Sequence, residues 1–368
     1  MRKILLSVFC AAASVAVSTA ADAESSVSIS GYLKMSVERL QLGDSAKSPS
    51  GETRVADNSS RIYFRVTEDL GSGLAAIGQL EFRPGIDSGT LTAAGADYVG
   101  LQSKSLGAIK LGRLDLHYFN EPSEIRSRAG SYKASPVSLL VYAGGGGTAI
   151  ANDGRTPNVV AYESPRWSGF SVNGAYSSSP AGNEADIGSG IRSGRAWNVV
   201  PSFGGENFLF GYSYWSSKND AGGDTVATGD QRSDRLFGWY RWSGFKVGIA
   251  WDKSKIKGAT TGAELSNRTA WSLPVQYSWG RHTVYAHYTR AGDDKAIAGP
   301  DGAKMWAVAY NYDLSKRTAI GLTYAKIRNQ SGAFYNLDNS AGGNGSPSGA
   351  VAPGEDPSLW AFTLFHSF

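Results

Sequence analysis

Hydrophobic and polar side chains alternate along most of this 368-residue chain. In the last segment, Trp360, Phe362, Leu364 and Phe368 fall on every second position, so they share one face of a strand. Alternating segments of about ten residues are what β-strands need to cross a bilayer at a tilt. Sixteen such strands are predicted, beginning near Ser26, Asn58, Leu74, Gly95, Ala108, Asn158, Phe170, Arg195, Asn207, Asp234, Phe245, Arg268, Arg281, Ala303, Lys316 and Ser358.

The connections between these segments alternate between short and long. Seven short turns are predicted at 69–73, 104–107, 164–169, 204–206, 243–244, 279–280 and 313–315. Eight long polar loops separate them, at 41–57, 86–94, 115–157, 178–194, 217–233, 255–267, 291–302 and 330–357. Transmembrane barrels have short periplasmic turns and long extracellular loops. The pattern therefore predicts an all-β fold, a 16-stranded antiparallel transmembrane β-barrel.

The same alternation assigns side chains to the two faces of each strand. Ile62, Phe64 and Val66 form an apolar set, so Arg61 and Arg65 point to the opposite face. The apolar face is expected to meet lipid, because an arginine there would cost about 2–4 kcal/mol near the bilayer midplane.

Charged residues on the inner face of the first three strands are then four cations and two carboxylates: Lys34, Arg61, Arg65, Arg83, Glu38 and Glu81. Rings of charged side chains set the selectivity of a pore. This excess predicts a channel with a weak preference for anions.

The N-terminus predicts export. Arg2 and Lys3 precede an apolar stretch at 4–17, and Ala21 and Ala23 form an A-x-A cleavage pattern. Residues 1–23 are therefore predicted to be a signal peptide, which leaves residues 24–368 as the barrel. The apolar stretch is too short for a transmembrane helix.

Composition narrows the class further. The chain has 46 Gly, 18 Tyr, 14 Phe and 10 Trp, and a formal net charge of only +4. So small a positive charge argues against nucleic acid as a partner, because nucleic-acid-binding proteins carry dense basic patches. A slightly negative mean hydropathy argues against a membrane helix bundle, whereas a barrel with a wet lumen fits it.

Several motifs in order resemble one family. Residues 58–81 read NSSRIYFRVTEDLGSGLAAIGQLE, residues 158–165 read NVVAYESP, and residues 312–318 read YDLSKRT, before a C-terminal HSF. These resemble the trimeric general porins of Gram-negative bacteria, of the beta-proteobacterial and neisserial type. The resemblance implies a homotrimer in the outer membrane, in contact with lipid and lipopolysaccharide, that passes small hydrophilic solutes and ions.

The resemblance also implies where the pore is narrow. The loop 115–157 corresponds to the family's third extracellular loop, which folds inward as a constriction. Residues expected at the constriction are Lys34, Arg61, Arg65, Arg83, Arg113, Asp115, Glu121, Glu124 and Arg126. Lys34, Tyr63, Gly95 and Phe365 depart from the residues that the family commonly has at these positions. Phe365 is the least expected of them, since it replaces a common lumenal arginine.

No catalytic residue, metal site or cofactor is predicted. His282 and His287 are five residues apart on one strand, so they lie on opposite faces. Three alternatives to a general porin stay open: a substrate-specific channel for organic acids or sugars, an outer-membrane lipase or protease, and a soluble secreted glycan-binding protein. Saturable block, reactivity with a hydrolase probe, and extraction without detergent would respectively identify them.

Overall fold

The structure is a computed structural model that describes residues 25–43, 51–92, 95–117, 125–149, 155–180, 194–219, 223–337 and 351–368. Within these ranges the strands are β1 (Ser25–Gln41), β2 (Gly51–Asp57), β3 (Arg61–Gly71), β4 (Leu74–Gly85), β5 (Thr90–Thr92), β6 (Asp97–Ser103), β7 (Gly107–Leu114), β8 (Tyr142–Ala143), β9 (Thr148–Ala149), β10 (Thr156–Glu163), β11 (Phe170–Ser177), β12 (Arg195–Gly204), β13 (Phe208–Lys218), β14 (Asp230–Trp242), β15 (Phe245–Lys257), β16 (Glu264–Trp279), β17 (His282–Ala291), β18 (Ala303–Asp313), β19 (Thr318–Asn329) and β20 (Ser358–Ser367). One short helix, α1 (Val137–Leu140), and 3-10 turns at Tyr132–Ala134 and Gly144–Gly146 lie between β7 and β10. None of the described helices is long and apolar enough to cross a membrane.

Sixteen of these strands form one closed antiparallel barrel, as the sequence predicts: β1, β3, β4, β6, β7 and β10–β20. Every predicted strand start lies within four residues of the observed one. The short strand β2 continues the line of β3 along β1, and β5 forms a hairpin with the end of β4.

The first and last strands close the barrel. Tyr32–Gln41 of β1 pair with Ser358–Ser367 of β20. Beyond this ladder, the backbone N–H groups of Gly31 and Phe368 each donate to the other residue's carbonyl oxygen, at 3.2 and 3.1 Å. A Cβ at Gly31 would lie 2.2 Å from the Arg61 carbonyl oxygen, so only glycine permits this close approach.

The two faces follow the predicted parity. On β1, Val27, Ile29 and Val37 are 71%, 59% and 51% exposed on the outer face. Lys34 and Glu38 of the same strand are buried on the inner face. The outer face is therefore the apolar surface that meets lipid.

Parts of three predicted loops are strand. β2 occupies residues 51–57 of the predicted loop 41–57 and pairs with β1. Residues 230–233 and 255–257 of the predicted loops 217–233 and 255–267 are also strand, because β14 pairs with β15 as far as Asp230 and Lys257. Polar side chains on both faces caused the error: Lys255 faces Glu264 of β16 at 3.6 Å, in strand that extends above the apolar band. Strand pairing there continues without a hydrophobic signal in the sequence.

Candidate functional site

Three arginine side chains donate hydrogen bonds to one buried carboxylate inside the barrel. Glu81, on β4, accepts at Oε1 from Arg61 Nε at 2.7 Å, from Arg83 Nη2 at 3.1 Å and from Arg155 Nη2 at 3.3 Å. The backbone N–H of Ala96 donates to Oε2 at 2.9 Å. Arg155 comes from the end of the loop 115–157, so this cluster joins that loop to the barrel wall.

The start of the same loop lies beside the cluster. Asp115 forms an ion pair with Arg155, 2.7 Å from Oδ1 to Nε. Arg113, whose direction the sequence leaves open, donates from Nη1 to the Gly95 carbonyl oxygen at 3.1 Å. Glycine at position 95 leaves room for this carboxylate, since a Cβ there would lie 2.1 Å from the side chain of Glu81.

Two other predicted cations lie apart from Glu81. Lys34 and Arg126 line a cavity of about 280 Å³ between the loop and the wall, together with Arg61. Lys34 is only 7% exposed, and Arg126 is exposed. Among the residues the structure describes, no ion pair to either side chain is present.

Arg65, Glu121 and Glu124 are the remaining residues that the sequence predicts at the constriction. Arg65 is exposed nearer the short-turn end, where Nε donates to Gln79 at 2.8 Å and Nη1 to Ser30 at 2.8 Å. Its guanidinium also lies 4.4 Å from the ring centroid of Tyr63, another departure from the family. Glu121 and Glu124 lie outside the described residues.

An interruption in the strand pairing of the barrel wall places one side chain, Asn58, against the loop. Strand pairing is interrupted between β2 and β3, where Asn58 is buried. Its Nδ2 donates to Ser131 Oγ at 3.0 Å, and its Oδ1 accepts from the Tyr132 backbone N–H at 2.6 Å. Bulges of this kind redirect side chains, which here allows a wall residue to bind the loop backbone.

Further contacts hold the described part of the loop against the inner wall. Lys133 Nζ lies 2.8 Å from Glu38, and His287 Nε2 lies 2.9 Å from the Ala134 carbonyl oxygen. Arg268, on β16, donates to the carbonyl oxygens of Leu139 and Leu140 at 2.6 and 2.8 Å. These carbonyls end α1, where a cation satisfies acceptors that have no helical partner.

The last long loop packs onto this loop from above. The Phe334 backbone N–H donates to the Gly145 carbonyl oxygen at 2.7 Å. Tyr335 and Leu337 are buried with Leu139 and Leu140 in one apolar cluster. An apolar core inside the barrel is unexpected for a wet lumen, and the alternation of side chains along the strands does not predict it.

His117 fixes the beginning of the loop to the far wall. Its Nδ1 and Nε2 lie 2.8 Å from Ser213 Oγ and Ser233 Oγ, and Ser233 Oγ donates to Asp252 at 2.8 Å. Arg235 donates to Asp252 and to the His117 carbonyl oxygen. Burial lowers the pKa of His117 to about 4, so the imidazole is neutral at pH 7.

This serine–histidine–aspartate group is not arranged for hydrolysis. His117, Ser213, Ser233 and Asp252 are completely buried, so no substrate reaches a serine hydroxyl. For Ser233 the acid is also misplaced, because Asp252 lies 3.5 Å from His117 Nε2, the nitrogen that Ser233 contacts, whereas a catalytic triad places its acid on the opposite nitrogen. The group is a structural anchor.

Comparison with known proteins gives the family. The family model described as Gram-negative porin matches residues 10–332. The chain belongs to the Gram-negative porin family. The porin is 28% identical to an outer membrane porin protein of Bordetella pertussis over 72% of this chain and 75% of that protein. It is 25% identical to the major outer membrane protein P.IB of Neisseria gonorrhoeae over 90% of this chain and 95% of that protein.

Solved structures share the fold of the porin. The anion-selective porin from Comamonas acidovorans superimposes with a TM-score of 0.74 at 20% identity, over 94% of this chain and 100% of that chain. OmpT of Vibrio cholerae, in a trimer form, gives a TM-score of 0.67 at 14% identity, over 94% and 99%. The predicted family and fold are confirmed. The porin is an outer-membrane channel for passive diffusion and not an enzyme.

Proposed function

We propose that the porin is a general diffusion channel for ions and small hydrophilic solutes with a weak preference for anions. The loop 115–157 would form its constriction, facing the basic wall of β1, β3 and β4. The observation that carries this proposal is the cavity beside Lys34, Arg61, Arg126 and Arg128, because none of the described residues that line it is acidic. The porin from Comamonas acidovorans, which is named anion-selective, shares this fold and supports a preference for anions.

The charge balance at the constriction supports an anion preference. Glu81 is surrounded by Arg61, Arg83 and Arg155, so its negative charge is more than compensated. Lys34 adds a further positive charge on the adjacent wall. A narrow region with a low-dielectric wall strengthens such a field and raises the local anion concentration.

A substrate-specific channel for organic acids or sugars is the competing function. Single-channel recording in planar bilayers separates the two. A general channel keeps its KCl conductance when a sugar or an aliphatic dicarboxylic acid is added, whereas a substrate-specific channel is blocked saturably by one of them. Saturable block by such a solute would overturn the general-channel proposal.

We propose a homotrimer as the assembly. The trimeric form of OmpT shares this fold, and the family resemblance implies the same assembly. Chemical cross-linking in detergent tests it, with three copies expected in the largest cross-linked species. Single-channel traces should then close in three equal steps, and a single step together with only uncross-linked chain would contradict a trimer.

Outer-membrane lipid and lipopolysaccharide are the proposed surroundings. Above the apolar band, Arg290, Lys304 and Arg328 lie directly opposite one another on β17, β18 and β19 and are exposed. Like charges in such a cross-strand row destabilise a sheet, which bound lipopolysaccharide phosphates would offset. Lipopolysaccharide retained by the purified protein should fall when all three are changed to glutamine; no change would contradict this contact.

Export through a cleaved signal peptide completes the proposal. Residues 1–23 lie outside the described residues, so the support is the basic, apolar and A-x-A pattern of the sequence. N-terminal sequencing of the membrane form should begin at Glu24. A mature protein that starts at Met1 would contradict cleavage.

A further inference from the structure

We propose that the cavity between the inward loop and the barrel wall binds aromatic carboxylates. The proposal rests on the anion preference above and adds to the general channel a side cavity that holds one class of anion, while other small ions and solutes still pass by diffusion. The cavity has a volume of about 280 Å³ and is enclosed by loop residues 125–136 on one side. Strands β1, β3 and β16–β20 form its other walls.

One side of this cavity is cationic. Lys34 and Arg61 are each 7% exposed on the wall, and Arg126 and Arg128 come from the loop. Arg61 and Arg128 are engaged with Glu81 and Asp313, both of which lie outside the lining. Lys34 and Arg126 have no ion pair with any described residue, so they are the groups that would bind a carboxylate.

The other side of the cavity is apolar. Phe365 and Tyr32 pack ring to ring at 5.4 Å between centroids, and Tyr285 is buried with Ile125. Pro274, Ala307 and Ala309 complete this side. Apart from Ile125, which is on the loop, these are inward-facing strand positions, which in a water-filled barrel usually carry polar residues.

The two sides together select for an anion with an apolar body. A carboxylate would meet a lysine or guanidinium group, and a benzene ring attached to it would lie against aromatic and aliphatic side chains. Chloride and acetate would gain only the charge interaction. A neutral aromatic alcohol would gain only the apolar contact, and an aromatic amine would be repelled by the cations.

Block of chloride current in planar bilayers tests the proposal with benzoate as the probe, and acetate and benzyl alcohol as comparisons. Benzoate should reduce the current saturably, with a half-blocking concentration at least about tenfold below that of acetate. Tyr285→Ser should raise the half-blocking concentration of benzoate about tenfold and leave that of acetate unchanged. Arg126→Gln should weaken block by both carboxylates.

Lys110→Gln serves as the matched control, because Lys110 lines a separate cavity formed by β4, β6, β7 and β10–β12. It should leave the benzoate value unchanged. If Tyr285→Ser does not assemble, Ile125→Ser on the loop tests the same apolar side without altering a strand. A half-blocking concentration that neither variant changes would overturn the site.

The outcomes also separate this inference from the proposed function. Equal block by benzoate and acetate in a channel that still prefers anions would overturn the aromatic-carboxylate site alone. A channel that prefers cations would overturn the proposed function, and with it this inference. Block by benzyl alcohol as strong as block by benzoate would show that the cations play no part, which also overturns it.

Discussion

The guanidinium of Arg128 lies over the ring of Phe365, 5.3 Å from its centroid. Arg128 belongs to the inward loop and Phe365 to the closing strand β20. The same guanidinium donates to Asp313 Oδ1 at 2.8 Å and to the Lys316 carbonyl oxygen at 2.9 Å, near a short turn. Phe365, in turn, packs against Tyr32 of β1. The inward loop is therefore held at the seam where the barrel closes.

This contact explains why an aromatic residue occupies a lumenal position of the last strand. Phe365→Ala should lower the free energy of unfolding by about 3 kcal/mol, because it removes a buried ring and a cation–π contact. Urea unfolding in lipid vesicles measures it. Phe362→Ala, on the lipid face, is the control and should cost less. Equal losses for the two variants would contradict a role for Phe365 in holding the loop.

Glu81 controls the effective charge of the wall. Glu81→Gln removes one negative charge from among three arginines, so the ratio of chloride to potassium permeability should rise. The variant should also be less stable, because Arg61, Arg83 and Arg155 lose a buried partner. Reversal potentials in a KCl gradient measure the first effect. Glu206→Gln, on an exposed short turn, is the control and should change neither the permeability ratio nor the stability. A lower chloride-to-potassium permeability ratio for Glu81→Gln would contradict the expectation.

Acid should loosen the His117 anchor. The pKa of His117 is lowered from 6.5 to about 4 in the folded protein, so the unfolded chain binds a proton more readily between these values. Stability from this group is complete above pH 6.5 and is lost as the pH falls towards 4. Between pH 7 and 4.5, the free energy of unfolding of the wild type should fall by on the order of 2 kcal/mol more than that of His117→Gln.

Thermal unfolding at the two pH values checks this expectation. His366→Gln is the control, because His366 is exposed on β20. Its acid sensitivity should match that of wild type. A His117→Gln variant that is equally acid-sensitive would contradict the assignment.

Barrel closure depends on the close approach at Gly31. Gly31→Ala places a Cβ 2.2 Å from the Arg61 carbonyl oxygen, so the backbone has to move, at about 1–3 kcal/mol. The folded fraction after refolding, measured by heat-modifiable gel mobility, should fall. Gly78→Ala is the matched control, since the nearest atom to its Cβ would be 3.6 Å away. Normal folding of Gly31→Ala would contradict a steric requirement.

Much of the fold could be predicted from sequence because two simple physical patterns determine it. Alternation places apolar side chains on the lipid face, and the even number of strands brings both ends together. The extensions of β14 and β15 were missed because strands above the bilayer carry polar residues on both faces. The alternation signal there is weak, although backbone pairing continues.

The candidate site was less predictable. Parity placed Lys34, Arg61 and Arg83 on the inner face, but it did not show that Glu81 binds Arg61 and Arg83 together with Arg155 from a distant loop. The relevant signal was the inward parity of Glu81 beside Arg83. The anchors His117 and Asn58 depend on where the loop crosses the lumen, which strand periodicity does not determine.

The reversal potential of the wild-type channel in a KCl gradient tests the central claim most directly. Lys34, Arg126 and the arginines around Glu81 predict that chloride is more permeant than potassium, by a modest ratio that falls with rising salt as charges are screened. Lys34→Gln should bring the potential closer to zero. A wild-type potential with the sign of potassium selectivity would contradict the proposed role of these residues.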